Sequence, residues 1–158
     1  IISTFTALFL WVWLRMQLVK TFINLIWYNL IMIKEQKELL LTDLCCRLPY
    51  GVKLGFYASA TKQTYICTLL GLEPQEDEPV IAKTENGSFY MLAGNVKPYL
   101  FPMSSMSEEQ KKEYIDLLYI GPSTGVDYLN KNHFDYRGLI PNGLAVDATG
   151  LNIYNNKK

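Results

Sequence analysis

The sequence predicts an α+β domain: a small antiparallel sheet or SH3-like barrel of four to five strands, preceded by one helix and followed by two. Three observations predict it. Residues 34–48 place apolar side chains at helical spacing, and residues 52–101 change to two-residue alternation interrupted by turn residues. A helix-start signature at Ser107 then opens a C-terminal stretch where helical spacing returns.

In the first helix, Leu40, Leu41, Leu44, Cys45 and Leu48 form one apolar stripe, with Lys34, Glu35, Lys37 and Glu38 toward the other side. Pro49-Tyr50-Gly51 ends it. Val52, Leu54 and Phe56 then alternate with Lys53 and Gly55, as a half-buried strand requires, and Ala58–Gln63 is a polar turn. Tyr65–Leu72 reads as a second strand, apolar on both faces at Ile66, Leu69 and Leu70. Glu73–Pro79 is an acidic, proline-bounded loop. Val80–Thr84 and Ser88–Leu92 flank Glu85-Asn86-Gly87, where Asn-Gly signals a hairpin because a type I′ turn needs positive φ at both central residues. Val96–Phe101 is a short fifth piece limited by Pro98 and Pro102.

Ser107-Glu108-Glu109-Gln110 is a capping box for a helix reaching about Leu118, striped by Tyr114, Ile115, Leu117 and Leu118. Gly121-Pro122 stops that helix, and Thr124–Asp127 can cap a last short one through about Lys131. Gly138, Pro141, Gly143 and Gly150 make the remainder mostly loop, with Leu144–Val146 as one short strand.

Residues 1–31 are a separate segment. Of residues 1–33, 24 are apolar or aromatic, all three tryptophans fall here, and Gly, Pro, Asp and Glu are absent. As a membrane anchor, Phe5–Leu14 alone is too short, and extension to Ile26 places Arg15 near the centre at a cost of roughly 2.5–3.5 kcal/mol, which about ten Leu, Ile or Phe offset. An interfacial helix would need more charge than Arg15 and Lys20 supply. The favoured reading is a spurious extension upstream of Met32, where composition becomes ordinary, so 32–158 is expected to be one small domain.

Fifteen basic and fifteen acidic groups cancel over the chain; without Arg15 and Lys20 the remainder has thirteen against fifteen, a net charge of −2. That balance argues against non-specific nucleic-acid binding. Cys45, Cys46 and Cys67 are odd in number and lack metal spacing, which points to reduced thiols in the cytoplasm.

The stretches Asp43–Val52, Val96–Leu100, Met103–Glu109 and Tyr128–Ile140, taken as a set, resemble a group of small proteins of gut Bacteroidetes, their phages and mobile elements. The resemblance covers roughly residues 32–154. The group has no assigned activity, so the resemblance implies an origin and carries over no site residue.

Gly121-Pro122-Ser123-Thr124-Gly125 matches the G-x-S-x-G nucleophile elbow, with Asp127 and His133, the sole histidine, following in hydrolase order. The motif needs a strand before it; here a helix precedes it, so the simpler reading is a helix linker. No cofactor and no metal site are expected: Glu73, Glu76, Asp77 and Glu78 lack the calcium-loop pattern, and neither a P-loop nor a dinucleotide fingerprint is present. Asn86-Gly87-Ser88 is a formal sequon that the hairpin explains.

Two groups remain as binding candidates. His133, Tyr136 and Arg137 form an exposed polar–aromatic corner, and Tyr90 and Tyr99, among eleven tyrosines, lie on the sheet. Without a surviving catalytic constellation, the expected function is a non-enzymatic protein-interaction module, an accessory protein of a phage or mobile element. The alternatives are a nucleic-acid-associated SH3-like module and a protein tethered to the membrane by residues 1–31.

Overall fold

The computed structural model describes residues 15–17, 34–58, 61–73, 79–84 and 87–154. Two units divide the chain, Ile1–Gln36 and Lys37–Lys158. In the first, residues 15–17 are helical and exposed, and the rest of the apolar segment, with its anchor and extension readings, lies outside the described residues. Among the described residues no helix is long and apolar enough to cross a membrane.

The second unit is α+β. Helix α1, described over residues 34–47, gives way to a single 3₁₀ turn at Leu48–Tyr50, set by Pro49 and closed by Gly51 at φ 62°. Five strands follow: β1 (Lys53–Ala58), β2 (Gln63–Leu72), β3 (Pro79–Thr84), β4 (Gly87–Leu92) and β5 (Val96–Pro102). Helices α2 (Glu108–Ile120) and α3 (Pro122–Lys131) come next, then two-residue strands β6 (Phe134–Asp135) and β7 (Val146–Asp147).

The sheet order is β4-β3-β2-β1-β5-β6, with β7 also on β5. The pairs from β4 through β5 are antiparallel, while β6 and β7 run parallel to β5. The sheet is therefore open and mixed, with seven strands rather than four or five. β5 changes partners along its length. Val96–Pro98 pair with β1, whereas Tyr99–Pro102 pair with β7 and β6. The expected fifth piece is thus an interior strand. Strands two residues long leave no alternation to read, which is why the sequence shows five and the structure seven.

The hairpin falls where Asn-Gly predicted it, with a shifted register. Thr84 pairs with Gly87, so Gly87 opens β4 at φ 129°, and Asn86 lies outside the described residues with Glu85. The acidic loop over 74–78 and the tail over 155–158 also lie outside them.

Register sorts the side chains by face. Leu54 opposite Cys67, and Leu72 opposite Val80 opposite Met91, point inward. They join Leu40 and Leu44 of α1 with Val52, Leu69, Val96, Leu100 and Leu139 in the principal core. A second cluster, Met106, Tyr128, Leu129 and Phe134, packs with Tyr114, Leu117 and Tyr136 under α2 and α3.

The capping box forms as its chemistry requires: Ser107 Oγ accepts from Gln110 N at 3.2 Å, and Gln110 Oε1 accepts from Ser107 N at 2.9 Å. α3 begins at Pro122 rather than Thr124, because proline suits the first helical position, where no N–H partner is needed. Buried Gly125 lets α2 and α3 approach; a Cβ there would lie 2.5 Å from Leu118 Cδ2.

Candidate functional site

The expected α1 stripe is partly displaced. Cys45 is exposed, and the inward positions beside Leu40 and Leu44 are Asp43 and Arg47, both 0% exposed. Arg47 Nε donates to Asp43 Oδ2 at 2.6 Å and Nη2 to Oδ1 at 3.1 Å; Nη2 also donates to the Phe134 carbonyl at 2.8 Å. This ion pair holds the end of α1 to β6. Sequence reading missed it, although an i,i+4 Asp–Arg pair three residues after Leu40 and Leu44 was visible.

Arg137 is half-buried beside the pair. Its Nε lies 3.5 Å from Asp43 Oδ1 and donates to Tyr136 Oη at 3.2 Å, and its guanidinium sits 4.9 Å from the Tyr136 ring centroid. Arg137 and Tyr136 are therefore brought together, as the expected corner, but they serve as a brace on Asp43 and Cys46 rather than as a free surface.

His133 departs further from expectation. It is 7% exposed, at φ 59°, and its ring stacks on Tyr154 with centroids 4.0 Å apart. Burial first, then the positive charges of Arg47 and Lys53, pull its pKa down to about 4, so the imidazole is neutral at physiological pH. Its Nδ1 is buried without a hydrogen-bond partner, as are Arg47 Nη1 and Asn130 Oδ1. Tyr154 is held in turn: its hydroxyl donates to the Tyr99 carbonyl at 2.6 Å and accepts from Lys53 N at 3.1 Å.

A cleft of about 680 Å³ opens over this layer. Phe101, His133, Phe134 and Tyr154 give it an aromatic side, with Phe101 tilted 49° to the Tyr154 ring. Tyr50, Gln110, Lys131, Asn132 and Thr149 supply polar groups, and Lys131 is the one formally charged lining residue among those described. Asp127 stands outside the lining, where its charge, after burial, raises the pKa of the Tyr50 hydroxyl.

The other surface is the outer face of the sheet. Gly55 pairs with Ile66, Thr68 with Lys83, and Gly71 with Ile81 and through it Tyr90, so these side chains share the face opposite the core. Tyr57, Ile66, the bulged Leu70, Tyr90 and Leu92 are all exposed, Tyr90 at 66%. Tyr99 lies on the same face yet is 7% exposed, its ring packed on Gly55, so of the two predicted sheet tyrosines only Tyr90 is accessible. β4 pairs only with β3 among the described residues, and Gly87–Leu92 contains no charge and no proline.

Ser123 lies exposed in the first turn of α3, after a helix, so the strand–turn–helix context of a nucleophile elbow is not met. Among the described residues no group of three or more His, Cys, Asp or Glu is placed to hold a metal ion. No family model matches the chain, and neither the curated proteins nor the solved structures include one that matches it.

Proposed function

We propose that this protein is a non-enzymatic interaction module, a cytoplasmic accessory protein of a phage or mobile element of gut Bacteroidetes. One observation carries the reading: an aromatic and aliphatic sheet face, Tyr57, Ile66, Leu70, Tyr90 and Leu92, borders a strand, Gly87–Leu92, that pairs on one side only among the described residues and contains no lysine and no proline. Edge strands are ordinarily guarded by lysine, proline or a bulge. With neither lysine nor proline in it, β4 can pair with an extended segment of a protein partner, main-chain hydrogen bonds supplying affinity and alternate side chains supplying selection. The path β4-β3-β2-β1-β5, a meander whose fifth strand returns beside the first, supports an SH3-like description of these five strands.

The test is affinity capture from cells carrying the native gene, with wild type, Tyr90→Lys/Leu92→Glu, and Tyr119→Ser on α2 as an exposed control. A partner retained by wild type and the control and lost from the sheet variant supports the reading. Equal retention by all three refutes it.

A second reading has its own observation. Lys53, Lys83 and Lys97 share the outer face with Tyr57 and Tyr90, a basic–aromatic mixture suited to single-stranded nucleic acid. It requires salt-dependent retention on oligonucleotides that falls on Lys83→Gln/Lys97→Gln substitution, and no retention at low salt excludes it.

A further inference from the structure

The cleft over His133 has the size of a small-molecule site, about 680 Å³, and its two sides differ in chemistry. Phe101 and Tyr154 offer aromatic surface, their rings tilted 49° to one another. Lys131, in the last turn of α3, is the single formal charge, and no carboxylate lines the cleft among the described residues. Asp127 lies outside the lining, close enough to raise the pKa of the Tyr50 hydroxyl. Behind the aromatic side stands Arg47, paired with Asp43 and keeping one buried nitrogen, Nη1, without a partner. Lys131 is therefore the charged group that an anion in the cleft would meet. The negative pole of α3 ends at the same place and offsets part of the Lys131 charge, which suits a monoanion better than a phosphate dianion. Phosphate sites also favour forked arginines or helix N-termini, and the lining has neither.

We propose that this cleft binds a small carboxylate carried on a flat apolar body, an aromatic or unsaturated acid, with the carboxylate on Lys131 and the body against Phe101 and Tyr154. This site is separate from the sheet face, so either can fail without the other.

His133 is the chain's sole histidine, which makes its imidazole an unambiguous reporter inside the cleft. The experiment follows its ring signals by NMR at fixed pH on the full chain, titrated with benzoate, with neutral benzamide and with inorganic phosphate. Benzoate is expected to give a saturable shift, with benzamide and phosphate each roughly tenfold weaker or worse, since a charge-assisted hydrogen bond and the aromatic contact are then missing in turn. Lys131→Gln, an exposed substitution, should erase the preference for benzoate over benzamide, while Lys97→Gln on the sheet should retain it. No saturable shift, equal binding of benzamide, or an unchanged preference in Lys131→Gln would overturn the proposal. Phosphate binding as tight as benzoate would also overturn it, marking a general anion site.

Discussion

Replacing Arg47 with methionine removes one half of an ion pair that has no access to water. Three hydrogen bonds disappear: two to Asp43, at 2.6 and 3.1 Å, and one to the Phe134 carbonyl at 2.8 Å. The Phe134 carbonyl keeps a bond from Tyr136 N at 3.1 Å, so its loss is small. Asp43 is worse placed: it stays at zero exposure with only Arg137, 3.5 Å away, to balance its charge. Removing one partner of a buried pair costs about 3–5 kcal/mol, and the remaining Arg137 puts the expectation near about 3 kcal/mol. That is a large part of the 5–15 kcal/mol typical of a domain. Asp43→Asn should cost about as much, because it leaves the Arg47 charge buried with a neutral neighbour. The two together should cost much less than their sum, since neither charge is then stranded, giving a coupling of about 2 kcal/mol or more in a double-mutant cycle. Urea unfolding of the four proteins measures it, with slopes checked for constancy. A coupling below about 0.5 kcal/mol would refute the claim that the pair acts as a unit, and with it the account of how α1 is tied to β6.

Three further outcomes follow from the same region. His133 has its pKa depressed to about 4 in the fold against 6.5 for the unfolded chain, so the unfolded state binds the proton first. The stability this represents, roughly 3 kcal/mol, is present above pH 6.5 and is lost as pH falls toward 4. His133→Asn, tolerated at φ 59°, should remove that part of the slope in urea titrations at pH 7, 5.5 and 4.5, judged against wild type. Tyr154→Phe leaves Lys53 N and the Tyr99 carbonyl without a shared hydroxyl and should lower stability by about 1–3 kcal/mol while retaining the ring stack on His133, as thermal unfolding would show. Gly55→Ala should cost about 1–3 kcal/mol, because the new methyl would meet the Tyr99 hydroxyl oxygen at 3.1 Å and its ring carbons at 3.2 and 3.3 Å, and Tyr99 is too buried to swing clear; an unchanged midpoint would show that the ring can move.

What the sequence by itself determined is local. Helical spacing placed α1, the capping box at Ser107 opened α2, and alternation with punctuation located β1 to β5, because each signal is set by neighbours within a few residues. Tyr90 and Tyr99 were both legible as sheet tyrosines for the same reason, without a signal that separated the exposed one from the buried one. The tertiary structure decided the rest. β6 and β7 exist only because β5 offers them its far side beyond Pro98; two residues alone carry no pattern. Tyr99 is buried because Gly55, on another strand, leaves room for its ring. His133 is turned inward by a positive φ and covered by Tyr154, twenty-one residues on in the chain. Asp43 and Arg47, which look like a surface helix pair, go inside because Phe134 and Arg137, about ninety residues away, supply a further hydrogen bond and a second ion contact. Burial of a polar group depends on the partner that compensates it, and long-range partners are chosen by the fold.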